Sequence, residues 1–191
     1  MMIHAKAERF EEGESVKRRI FALEHIKDIA LIKDENKMYQ DDKRVRIEAY
    51  DVAHHSGENM VGVMTVVVGS EARKDEYRKF KIQSVSVSND TAALKEILER
   101  RLSHAEWAFP QIIVVDGSTA QKNAAESVVK KSGLVVPVVS VVKDEKHRPK
   151  RLLGPRKLLG EHHDAILLAN AEAHRFAISY HRQKQRKRLR T

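Results

Sequence analysis

Asp51 and Asp116 are the residues in this chain most able to do chemistry. Asp51 closes an alternating run from residue 45, and Asp116 closes the apolar run Ile112-Ile113-Val114-Val115. If the two runs are neighbouring parallel strands, both carboxylates project from one sheet edge. Ionised carboxylates placed there repel each other and resist desolvation. A divalent cation resolves that conflict, and oxygen ligands suit Mg²⁺ or Mn²⁺. On spacing alone the plainer reading stands first: two strand-end aspartates, each capping a turn, as Asp116-Gly117 can. His174 shifts the balance. It shares helical spacing with Leu167, Ala171 and Ile178, which predicts an apolar face packed on the sheet that carries the aspartates. From there it can bind a metal through a ring nitrogen or shuttle a proton. Arg175 follows it and can meet a phosphate or cap a carboxylate. Asp90, at a predicted helix start, is either an N-cap or a fourth acidic group for the site.

Other motifs carry less. In His54-His55 and His162-His163 adjacent side chains point apart, which fits loop histidines better than a zinc site. Gly117-Ser118-Thr119-Ala120-Gln121 opens a helix after a strand, so its amides can hold a phosphate, but it lacks the Gly-Lys-Ser/Thr ending of a nucleotide P-loop.

Charge adds a partner. The net charge is +9, yet residues 1–44 and 45–142 are each neutral, and residues 143–191 hold fourteen basic against five acidic groups. Six of the ten residues 181–190 are Arg or Lys, among them Arg182, Lys184, Arg186, Lys187 and Arg188. Such a run binds a phosphate backbone without reading bases and with steep salt dependence; the alternative is a solvated tail that aids solubility. No aromatic residue interrupts it, so stacking on single strands is not indicated. The chain has no cysteine, which excludes disulfide scaffolds and Cys-ligated zinc or iron–sulfur sites. No apolar run approaches the roughly 18 residues of a membrane span, and no signal peptide is recognised, so the expected compartment is the cytoplasm and no membrane partner is expected.

The elements that must position these groups follow from periodicity. Residues 8–33 read as a helix with Ile20, Leu23, Ile26 and Ala30 on one side, followed by a polar linker. Strands are expected over 45–51, 60–68 and 76–85 as a meander, then a helix from Asn89 or Asp90 to about Leu102. A strand at 112–115, a helix to about Lys131 closed by Gly133, and a strand over 135–142 make a βαβ unit with parallel strands. Residues 143–163 read as an irregular basic loop, and a last helix runs from near Asp164 into the basic tail. The expected fold is α/β, a mixed five-stranded sheet of three antiparallel and two parallel strands with helices on both faces. The expected division is 1–44 helical segment and linker, 45–182 catalytic domain, and 183–191 basic tail.

The segments Arg46-Ile47-Glu48-Ala49-Tyr50-Asp51-Val52-Ala53-His54, Val114-Val115-Asp116-Gly117 and Glu172-Ala173-His174-Arg175-Phe176-Ala177-Ile178 resemble the C-terminal nuclease region of the UvrC family, the incision subunit of the bacterial UvrABC excinuclease. Residues 22–32 resemble the stretch that precedes that nuclease. The resemblance implies an RNase H-like fold and a divalent-metal endonuclease cutting the damaged strand of double-stranded DNA 5′ to a lesion, with UvrA and UvrB as partners. It implies a catalytic and metal-binding Asp-Asp-His triad at Asp51, Asp116 and His174, with a further acidic position at Asp90. Two departures stand out: Thr119 replaces a lysine common after the fourth strand, and Ala171 replaces a frequent aspartate. The family's GIY-YIG nuclease domain, UvrB-interacting motif and helix-hairpin-helix pair are not among these 191 residues. The expectation is therefore a fragment of a longer product or a stand-alone homologue. The rival expectations are a catalytically inactive DNA-binding or assembly module of the same fold, and an RNase H-fold enzyme acting on RNA–DNA hybrids or recombination intermediates.

Overall fold

In the computed structural model of the chain the described residues are 44–53, 60–83, 89–145 and 148–188. The expected helix over 8–33 with its linker, the pair His54-His55 and Arg190 lie outside them. Arg44–Val129 and Val136–Thr191 form one compact unit. It holds strands β1 (Arg46–Ala53), β2 (Val61–Val68), β3 (Glu71–Ala72), β4 (Arg78–Lys81), β5 (Ile112–Asp116), β6 (Val138–Lys143) and β7 (Pro149–Leu153). The helices are α1 (Asp90–Leu102), α2 (Thr119–Lys131), α3 (Arg156–Glu161) and α4 (His163–Arg188).

One sheet runs in the order β3-β2-β1-β5-β6-β7, with β4 also paired to β2. β1 is antiparallel to β2 and parallel to β5, and β5 is parallel to β6. The expected meander and βαβ unit are therefore both present, joined through the β1–β5 pair. Two strands exceed the five expected. β3 is only two residues long. β7 lies where an irregular loop was expected, because Pro149-Lys150-Arg151 is exposed and polar. As an antiparallel edge strand β7 needs no apolar run, and its proline is its first residue, where a missing N–H costs least. The third meander strand is shorter than expected, since a 3₁₀ turn at Lys74–Glu76 precedes β4.

Alternation along the three parallel strands decides what lies under α4. Ile47 and Ala49 on β1, Ile112 and Val114 on β5, and Val139 and Val141 on β6 are all buried with Ile166, Ala169 and Ala173 of α4. The next residues in the same phase are Asp51, Asp116 and Lys143. Side chains two apart share a face, so one apolar layer continues into a row of charges at the C-terminal ends of the strands. The alanines of α4 keep the helix close, and Thr65 Oγ1 donates to the Ala169 carbonyl at 3.2 Å.

The opposite face carries α1. A Cβ at Gly62 would come within 2.0 Å of Ile97 Cδ1, so the absence of a side chain there lets α1 approach β2. Glu48, wholly buried, accepts from Arg101 Nη2 at 2.8 Å, from Arg46 Nη2 at 3.2 Å and from the Tyr50 hydroxyl at 2.7 Å. Arg101 also donates to the Ala108 carbonyl at 2.6 Å, tying the loop after α1 to the same charge. Satisfied in this way, the carboxylate fixes the angle of α1, whose first residue is Asp90. Asn89, not Asp90, caps that helix, accepting from the Ala92 amide at 3.1 Å.

Candidate metal centre

β1, β5 and α4 bring three of the four expected site residues together. One ligand atom from each of Asp51, Asp116 and His174 lies within 4.8 Å of the other two. Asp51 is not the last residue of β1, as expected, because β1 runs on to Ala53 against β2. It stands one residue past the end of the parallel ladder, whose last pair is Tyr50 with Val115. Asp116 ends β5, and Gly117 behind it has φ 135°. That backbone, which few residues other than glycine adopt, turns the chain sharply into α2. The Ser118 amide donates to Gln121 Oε1 at 2.9 Å and the Ala120 amide to Ser118 Oγ at 3.2 Å, so these two amides are already satisfied within the turn.

His174 does not lie on the packed face of α4. The stripe buried on the sheet is Ile166, Ala169, Ala173 and Ala177, whereas Ala171 and Ile178 are exposed and the His174 side chain is 48% exposed. Helical spacing of three and four fits either of two adjacent stripes: the alanines are buried on the sheet, Leu167 packs at the edge of that core, and Ile178 is exposed. The half-exposed position keeps the imidazole at the mouth of the site, with Nδ1 3.3 Å from Asp51 Oδ2. Nδ1 is therefore the ring nitrogen turned toward the carboxylates.

The electrostatics suit a cation. Burial, followed by the charge of Asp116, pushes the Asp51 carboxyl above its usual range, while the His174 hydrogen bond and the Lys143 ammonium pull it back. Two carboxylates and an imidazole make a hard, oxygen-rich donor set, and a divalent ion among them relieves the crowding that raises Asp51. The residues present therefore fit a divalent metal. Asp90 lines the same cavity of about 600 Å³ without joining the three-residue cluster.

Two contributors escape sequence reasoning. Lys143 forms an ion pair with Asp116 Oδ2; read only as the start of a basic loop, it was legible from its phase with Val139 and Val141 on a third parallel strand. Tyr77 donates to Glu172 Oε2 at 2.6 Å, and Glu172 also holds Arg175, whose Nε lies 3.0 Å from Glu172 Oε1. The hydrogen bond from Arg175 leads in holding Glu172 below the usual carboxylate range. Arg175 thus carries its charge beside the site while anchored to its own helix. Arg182 is exposed one helical stretch further on, and α4 continues without a break through Lys184, Arg186, Lys187 and Arg188. The side chains of these last four lie outside the description. His163 contacts Asp164 at the start of α4, and neither His162 nor His163 lines the cavity.

This architecture, carboxylates at the ends of parallel strands beneath a C-terminal helix, is that of the RNase H-like nucleases. Residues 35–178 match the family described as the UvrC RNase H endonuclease domain. The UvrABC system protein C of Caldanaerobacter subterraneus subsp. tengcongensis is 37% identical over 202 aligned residues, covering 93% of this chain and 33% of that protein. The UvrABC system protein C of Streptococcus pyogenes serotype M49 is 38% identical over 157 residues, covering 76% of this chain and 26% of that protein. The chain belongs to the UvrC family. It spans about a third of the length of the curated relatives it matches. Human endonuclease V, among solved structures, superposes with a TM-score of 0.39 at 17% identity over 53% of this chain and 46% of that one, a likeness too slight to transfer anything. Among the described residues no helix is long and apolar enough to cross a membrane.

Proposed function

We propose that the chain hydrolyses phosphodiester bonds in DNA as the 5′-incision nuclease of nucleotide excision repair, using Mg²⁺ or Mn²⁺ held by Asp51, Asp116 and His174. The convergence of those three ligand atoms within 4.8 Å, in a chain of the UvrC family, carries this reading. A divalent ion supplies Lewis-acid polarisation of the scissile phosphate and acidifies an attacking water. Asp51 and Asp116 orient that ion from two neighbouring strands whose geometry the core fixes. His174 would take the third position through Nδ1, the ring nitrogen 3.3 Å from Asp51 Oδ2, which would turn from that carboxylate to a shared ion. Asp90, the first residue of α1, lines the wall from which a second ion or an ordered water could be held. Arg175, Arg182 and the basic residues through Arg188 contact backbone phosphates of the duplex, which positions it without reading sequence. UvrA and UvrB, partners implied by the name of the curated relatives, would deliver the damaged strand.

The test is nicking of supercoiled plasmid and of lesion-bearing duplex with Mn²⁺ or Mg²⁺, with and without UvrA and UvrB. Wild-type protein should nick only with the metal, and Asp51→Asn should lose about 10³-fold, the scale of several kcal/mol of lost transition-state stabilisation. Metal-independent nicking, or equal rates in Asp51→Asn, would overturn the assignment. Duplex binding without any nicking would identify an inactive assembly module instead.

A further inference from the structure

Two cavities meet beside α4. The first, of about 600 Å³, contains the ligand cluster and is lined by four carboxylates, Asp51, Asp90, Asp116 and Asp144. The second is a groove of about 690 Å³ between α4 and the β6–β7 edge, with Arg175 and Arg182 on its wall. Lys143, His174 and Ile178 line both. Lys143 is the one lysine or arginine among the described residues that line the acidic cavity. A strand running from the basic groove toward the carboxylates meets Lys143, His174 and Ile178 where the two cavities join.

We propose that Lys143 holds the scissile phosphodiester: its ammonium, paired with Asp116 in this structure, turns to a non-bridging phosphate oxygen when a DNA strand enters from the groove. This rests on the nuclease reading and adds a catalytic residue to it. The placement is structural. Lys143 continues the phase of Val139 and Val141 on β6, the strand next to the one ending in Asp116. Its side chain is 16% exposed, so its stem is packed while its head reaches the junction. Four carbons of stem and three donors allow one ammonium to keep Asp116 and donate to phosphate together, or to pass between them. An anionic phosphate among four carboxylates needs a fixed cation, and lysine serves phosphate as a compact point charge. The role requires no proton transfer at Lys143.

The experiment compares the full chain as wild type, Lys143→Met and Lys143→Arg. Single-turnover nicking is read across a Mn²⁺ series up to saturation, Mn²⁺ binding by titration, and duplex affinity as a function of salt in Ca²⁺. Lys143→Met should nick about 10²–10³-fold more slowly, the loss seen when one preorganised donor to a developing charge is removed. It should bind Mn²⁺ at least as tightly as wild type, because a competitor for Asp116 is gone. Its salt slope should fall by about one, as for a lost phosphate contact. Lys143→Arg should recover most of the slope and part of the rate. Nicking by Lys143→Met at the wild-type rate, a defect fully repaired by more Mn²⁺, or an unchanged salt slope would each reduce Lys143 to a brace for Asp116 and overturn the proposal. Wild-type protein that nicks nothing overturns the nuclease reading instead, and the salt slope still decides whether Lys143 meets phosphate.

Discussion

Replacing Asp51 by asparagine should make the metal-free protein more stable and the metal-loaded protein less so. The ligand atoms of Asp51 and Asp116 are no more than 4.8 Å apart. At an effective dielectric of about 20 that separation means a repulsion of roughly 3.5 kcal/mol. The His174 hydrogen bond and Lys143 offset part of it, but burial, the larger cause, together with the Asp116 charge keeps the Asp51 carboxyl above its usual range. A raised acid is harder to ionise in the folded chain than in the unfolded one, so near neutral pH its charge opposes folding. For each kcal/mol of that cost removed, Asp51→Asn should raise Tm in EDTA by roughly 2–4 °C. Divalent metal reverses the order. At a hundred times Kd it should stabilise the wild type by about 2.7 kcal/mol, or roughly 5–11 °C, and the variant, short of one anionic ligand, by far less. Calorimetry of both proteins in EDTA and across a MnCl₂ series reads the crossing. A variant no more stable than wild type in EDTA, or one keeping the full Mn²⁺ shift, would refute the view that two crowded carboxylates are held in place for a cation.

Arg101→Met should unfold early, since it leaves the buried Glu48 carboxylate with only Arg46 and the Tyr50 hydroxyl: a loss of about 3–5 kcal/mol is expected, read as a Tm drop of roughly 6–20 °C. Refilling the site as Glu48→Gln in the same chain should recover part of that loss, and a double variant no more stable than the single one would refute the assigned pairing. Arg182→Glu should weaken duplex binding in Ca²⁺ and lower its salt slope while leaving Mn²⁺ affinity unchanged; fluorescence anisotropy across a salt series checks both, and an unchanged slope would take Arg182 off the DNA path.

Much of the site was legible because the same alternation that builds the core also aims the ligands. Asp116 follows four buried residues and precedes Gly117, so its place at a strand end could be read directly. Asp51 was legible as a residue but not as a position: it lies inside β1, and only its parallel pairing with β5, which ends at Tyr50 with Val115, makes it an edge residue. Parallel pairing between strands more than sixty residues apart leaves no local signal. His174 was found for an incomplete reason, because spacing of three and four cannot choose between two stripes one residue apart when both contain small and apolar side chains. Lys143 was missed because charge was counted by segment instead of by phase, which merged a strand's last residue with the loop behind it. β7 was hidden for a related reason. An exposed edge strand that begins with proline and carries Lys150 and Arg151 has the composition of a loop, and only its ladder with β6 reveals it.

The order of charges along the sheet edge makes the two aspartates unequal. Across β1, β5 and β6 the row reads Asp51, Asp116, Lys143, with neighbouring strands about 4.8 Å apart. Asp116 therefore has the ammonium in contact, whereas Asp51, whose ligand atom lies within 4.8 Å of that of Asp116, meets it at roughly 7 Å. At a dielectric of about 20 the contact is worth roughly 4 kcal/mol and the longer pairing roughly 2.4. Removing either carboxylate abolishes the same mutual repulsion, so that contribution cancels in a comparison of the two variants. What differs is the attraction to the ammonium, since asparagine at position 51 can keep the hydrogen bond with His174. Asp116→Asn should consequently be less stable than Asp51→Asn in EDTA by about 1.6 kcal/mol, or roughly 3–6 °C in Tm. On a Lys143→Met background the gap should close, since both aspartates then lose the same cation. If the gap persists there, its cause lies in the turn at Gly117 and not in the row of charges.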